Sequence, residues 1–73
     1  MEKERGFVID ASIVKIMKTR KTEKHMTLVK DVMQQVTMFK AQPPHIKMRI
    51  EDLIQRDYLK RDDKDKALYI YLP

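Results

Sequence analysis

Three stretches that repeat apolar residues at helical spacing, followed by two short β-type runs around a polar cluster, predict a mainly α fold with a small β-hairpin. The order helix, helix, helix, hairpin is that of a winged helix-turn-helix, a three-helix bundle with the hairpin as its wing. A chain of 73 residues has room for one core, and a domain this size buries only about 60% of the surface its unfolded chain exposes. One monomeric domain over residues 8–73 is therefore expected. Residues 1–7 are charged, hold the only glycine, Gly6, and read as a linker or a chain end.

The first helix is expected at about 10–20. At about 100° per residue, Ile9, Ile13, Ile16 and Met17 share a sector wide enough for a core-facing stripe, and Lys18 falls roughly opposite Ile9, towards solvent. Asp10 suits the N-cap, and Lys18, Arg20 and Lys21 suit the negative end of the helix dipole. A polar connection, Thr22 to Met26, leads to a second helix capped by Thr27, with Leu28, Val29, Val32, Met33 and Val36 on one face and an end near Thr37.

Phe39 to Pro44 form a loop. Proline fits a first helical turn because its missing amide would be unpaired there, so the Pro43-Pro44 pair starts a third helix at about 44–56, with Ile46, Ile50, Leu53 and Ile54 facing inward. The hairpin runs from Tyr58-Leu59-Lys60-Arg61, through Asp62 to Lys66, to Leu68-Tyr69-Ile70-Tyr71-Leu72. Leu68, Ile70 and Leu72 alternate with Tyr69 and Tyr71, which read as cross-strand packing on the wing. The expected core is Ile9, Ile13, Ile16, Met17, Leu28, Val32, Val36, Ile46, Ile50, Leu53, Ile54, Leu59 and Leu68. Met17 and Met33 read as core filler, whereas Met48 points away from the Ile46 face.

Composition removes several functions. Without cysteine there is no thiolate metal site, and two histidines, His25 and His45, do not build a structural zinc site, so no metal or cofactor is expected. A single glycine excludes the phosphate-cradling loops that need several. Ser12 has no histidine near it in sequence, and the acidic run Asp62-Asp63-Lys64-Asp65 puts Leu68 where a calcium loop needs glycine, so it reads as a solvated turn. No apolar run approaches the ~18 residues of a membrane span, and the charged start is unlike a signal peptide; an intracellular, soluble chain is expected. Sixteen basic against eleven acidic residues give a net +5, which attracts nucleic acid or acidic protein surfaces, and the excess concentrates between Lys15 and Lys24.

Read in order, Ile9-Asp10-Ala11, Ile13-Val14-Lys15-Ile16-Met17-Lys18-Thr19-Arg20-Lys21, His25, Leu28-Val29, Gln35, Phe39, Ile46-Lys47, Arg49-Ile50-Glu51, Leu53-Ile54, Tyr58-Leu59, Arg61 and Tyr69-Ile70-Tyr71-Leu72 form a pattern along nearly the whole chain. That pattern resembles the C-terminal winged-helix domain of a cullin, the scaffold subunit of multisubunit ubiquitin ligases. The resemblance implies that Lys18 accepts the ubiquitin-like protein Nedd8 in an isopeptide bond, and that this domain supplies a nucleophile rather than a catalyst. It also implies a Nedd8-conjugating enzyme, a RING subunit, a neddylation co-ligase and the rest of the scaffold as partners. Around Lys18, Ala11 and Val14 offer a small apolar surface to such an enzyme, and Lys15, Arg20 and Lys21 offer charge for steering.

Two other functions fit a winged helix. For DNA reading by the third helix, Glu51, Gln55, Met48 and Asp52 would face outward, and acids there oppose phosphate, so at most weak nonspecific binding is expected. An unmodified interaction module is disfavoured only by the presence of Lys18.

Overall fold

The computed structural model describes residues 2–73 and contains the helices α1 (Glu2–Arg20), α2 (His25–Gln35) and α3 (Pro43–Gln55), with strands β1 (Thr22–Lys24), β2 (Leu59–Arg61) and β3 (Leu68–Tyr71). The fold is a winged helix: three helices enclose the core and a small antiparallel sheet of order β1-β3-β2 covers one side. On the central strand, Tyr69 lies opposite Glu23 of β1 and Arg61 of β2.

The core joins Ile9, Ile13, Ile16 and Met17 of α1 to Leu28, Val29 and Val32 of α2 and to Ile46, Ile50 and Leu53 of α3, closed by Val36, Ala41, Leu59 and Tyr69. The periodic stripes thus face where their spacing places them. Pro43 and Pro44 open α3, as proline at the first turn should.

The sequence expectations need four corrections. Residues 2–7 are not a linker: α1 begins at Glu2, and Gly6 is buried beside the Arg49 side chain, which a Cβ there would touch at an ordinary contact distance of 3.5 Å. Asp10 consequently lies within a helix and caps nothing; its carboxylate accepts two hydrogen bonds from Arg49 instead.

The Thr22–Met26 connection is not irregular. Thr22–Lys24 form a third strand on β3, so α2 starts at His25 after Lys24, Thr27 lies inside that helix, and the helix ends at Gln35. The strand is polar and three residues long, which leaves no alternation to detect.

The wing faces inward with the other set of residues. Tyr69 is 1% exposed and Tyr71 packs on the core, whereas Leu68 is only half-buried. Both sets are apolar, and Tyr69 wins because its hydroxyl finds His25 Nδ1 at 2.7 Å and Arg61 at 3.4 Å, which satisfies the polar tip of a buried ring. Finally, Ile54 is half-buried against the core rather than within it, and Met33 is 38% exposed and fills nothing.

Candidate functional site around Lys18

The site is the outer face of the last turns of α1. Because Ile13, Ile16 and Met17 anchor one side of that helix, residues at i−7, i−4, i−3 and i from Lys18 must emerge on the other. Ala11, Lys15 and Lys18 are exposed, and Val14 is half-buried, with its side chain packed on the core edge. The Ala11 and Val14 surface is therefore real but shallow. Neither Lys15 nor Lys18 has an ion-pair partner among the described residues. The Lys18 amine therefore stands in solvent without a carboxylate to displace.

Lys21 is placed differently from the continuous basic face that the sequence suggests. It sits just beyond α1 with φ 74°, and its N–H donates to the Met17 carbonyl at 2.7 Å, which closes the helix in the left-handed cap that glycine usually provides. Its carbonyl accepts from Tyr71 N–H at 2.8 Å and its ammonium lies 5.4 Å from the centre of the Tyr71 ring. A lysine that holds helix to sheet in this way is turned off the helical path of Lys15 and Lys18.

Arg20 is likewise a tie rather than a free charge. Its guanidinium bonds Glu23 at 3.0 Å and also Asp31 of α2, and these partners raise its already high pKa. The carboxylates keep the end of α1 fixed while removing Arg20 from the steering set. Ser12 adds a 3.2 Å hydrogen bond to Gln35, so α1 is pinned to α2 at both levels.

Two clusters escaped the sequence reading. On α1 and α3, Arg49 binds Asp10 at 2.7 and 2.8 Å and Asp52 at 3.0 Å, while Arg56 reaches Asp52 at 3.1 Å; Asp10 above all raises the pKa of Arg49. Under the wing, Arg61 bonds Glu51 and stacks 5.2 Å over the Tyr69 ring, whose burial pushes the phenol pKa up. Both join different elements of the fold, which no local pattern in the sequence announces.

These clusters also correct the outward placement of Glu51 and Asp52 on α3. Both are half-buried and engaged sideways with Arg61, Arg49 and Arg56, so the arginines that would meet phosphate are already neutralised. Met48 and Gln55 are exposed as expected. Among the described residues there is no group of three or more His, Cys, Asp or Glu that could hold a metal, and no helix long and apolar enough to cross a membrane.

The family model of the cullin protein neddylation domain matches residues 4–65. The chain belongs to the cullin neddylation-domain family. It is 51% identical over 73 residues to Cullin-1 of Oryza sativa subsp. japonica, 47% to Cullin-3B of Arabidopsis thaliana and 44% to Cullin-3 of Dictyostelium discoideum, with 99% of this chain covered each time. The chain spans about 10% of the length of these curated relatives. A solved structure of Dcn1(P) with Cdc53(WHB), described under a dual E3 mechanism for Rub1 ligation to Cdc53, superposes with a TM-score of 0.93 at 37% identity and covers 99% of this chain and 84% of that one. This cullin neddylation domain therefore shares the winged-helix fold of Cdc53(WHB), and the DNA-binding alternative is not favoured.

Proposed function

We propose that this domain is the part of a cullin scaffold that receives Nedd8, and that Lys18 is the acceptor. The observation that carries the reading is the exposed, unpaired Lys18 amine on a helix whose opposite side is locked into the core, in a chain of the neddylation-domain family. An ordinary lysine amine is protonated at neutral pH, so the conjugating enzyme must take up its proton. The freed nitrogen attacks the carbonyl carbon of the Nedd8 thioester, a C–N bond forms, the C–S bond breaks, the enzyme thiolate leaves, and the nitrogen gives up a second proton to solvent as the amide forms.

The domain contributes position and a nucleophile; the catalytic groups belong to the enzymes that dock on it. The reading brings with it the conjugating enzyme, a RING subunit that positions it, a co-ligase such as the Dcn1 seen with Cdc53, and the rest of the scaffold, in cytoplasm and nucleus. Modification then serves to activate ubiquitin transfer by the assembled ligase. In a reconstituted assay on a full-length scaffold carrying this domain, peptide mapping is expected to place the conjugate on Lys18, and Lys18→Arg is expected to lose most of it while the fold persists. A first conjugate on another lysine overturns the assignment.

A further inference from the structure

At the far end of α1 from Lys18, a groove of about 770 Å³ runs between the start of that helix, the loop before α3 and the first turns of α3. Twelve residues of helix separate Gly6 from Lys18, a distance of about 18 Å at 1.5 Å per residue, so the groove is not part of the acceptor face. Phe7 is 57% exposed and Met48 68% exposed, and Phe39 also lines the groove, half-buried. Around this apolar floor stand Lys3, Arg5 and Lys40, none with a carboxylate partner among the described residues; Arg5 lies 5.1 Å from the centre of the Phe39 ring.

By contrast, the other arginines of the groove, Arg49 and Arg56, are held by Asp10 and Asp52. The uncompensated charge is thus confined to the rim. We infer that this groove is a docking site for an acidic amphipathic helix of a partner protein, apolar side chains set between Phe7 and Met48 and carboxylates towards Lys3, Arg5 and Lys40. Charge complementarity selects this occupant. A basic helix would meet three like charges, and a purely apolar one would leave those three cations beside dehydrated surface.

The test uses two synthetic helical peptides with identical leucines at i, i+3, i+4 and i+7, one with glutamates and the other with lysines at the remaining positions. Each is titrated into the ¹⁵N-labelled 73-residue chain. The acidic peptide is expected to give saturable shifts centred on Gly6, Phe7, Phe39, Lys40 and Met48. Phe7→Ser with Met48→Ser should weaken binding at least tenfold, and so should Lys3→Glu with Arg5→Glu and Lys40→Glu. These side chains are exposed, so the circular dichroism and the melting temperature of both variants should match the parent. Equal binding of the two peptides, shifts gathered on the Met26 and Met33 face instead, no saturation at millimolar peptide, or self-association through this groove in sedimentation each overturn the proposal.

Discussion

The Arg49 guanidinium forks onto the Asp10 carboxylate at 2.7 and 2.8 Å and so binds α3 to the middle of α1. The two side chains are 24% and 13% exposed, sheltered enough for a fork of two charge-assisted hydrogen bonds to count. Asp10→Ala should lower stability by about 1–3 kcal/mol, since it also leaves Arg49 half-buried with only Asp52 to answer it. A urea midpoint identical to the parent would show that the contact is stabilising nothing.

Tyr69 carries the wing's attachment to the core. Removal of a fully buried aromatic ring costs about 3–5 kcal/mol, so Tyr69→Ala should unfold the domain far more readily than Leu68→Ala, whose side chain is only half-buried. Tyr69→Phe keeps the packing and removes the bonds to His25 and Arg61, for a loss of about 1 kcal/mol. Thermal melts of the three variants give the order directly, and a larger loss for Leu68→Ala would reverse the assigned face of β3.

The same logic applies to α3, where Ile50 has no exposed surface and touches the centre of the core. Ile50→Ala should cost about 2–5 kcal/mol by denaturant unfolding. No loss would detach α3 from the core and with it the placement of Glu51 and Asp52.

The helical stripes were legible because burial writes a period into the sequence: Ile9, Ile13, Ile16 and Met17 lie inside as their spacing requires, and the outward position of Lys18 follows from the same arithmetic. The start of α1 was not legible. Lys3, Glu4 and Arg5 are charged and exposed, and nothing local announces that Gly6 will receive Arg49 from a residue 43 positions away. The phase of β3 was hidden because either face would bury apolar side chains, and a long-range hydrogen bond between Tyr69 and His25 favours the face observed. In the sequence Lys21 and Arg20 read as basic but not as tethers, since their partners Tyr71 and Asp31 come from other elements. The proposal of Lys18 as acceptor rests on resemblance to the family; geometry alone marks Lys18 as available, along with Lys15.

The turn before β3 should be sensitive to acid. The Lys24 ammonium, bonded to Asp65, and then the Ala67 N–H at 3.0 Å hold the Asp65 carboxyl below its ordinary range. A folded-state pKa below the unfolded value means that the contribution is complete above the unfolded pKa, about 3.9, and disappears as pH falls through the lower folded value. A carboxyl NMR titration should therefore give Asp65 a midpoint under that of an unstructured aspartate, and Lys24→Met should move it upward. A midpoint unaffected by Lys24→Met would mean that the pair does not persist in solution.

Lys15 and Lys21 should not replace Lys18 as acceptors, and for different reasons. Lys15 lies about 60° around α1 from Lys18 and 4.5 Å, about three residues of rise, further from the helix end, so a thioester delivered to Lys18 misses its amine by several ångströms. Lys21 is off the helix altogether, fixed by its left-handed backbone and its contacts with Tyr71. Lys15→Arg keeps the charge and should change the conjugation rate only modestly through steering. Lys21→Arg should do the same with the ring contact retained, while Lys21→Ala should loosen the junction of α1 with β3 as well. Initial rates on the full scaffold, with a melt of each variant, separate these effects. A loss on Lys15→Arg as deep as that on Lys18→Arg, with the fold intact, would move the acceptor to the neighbouring turn.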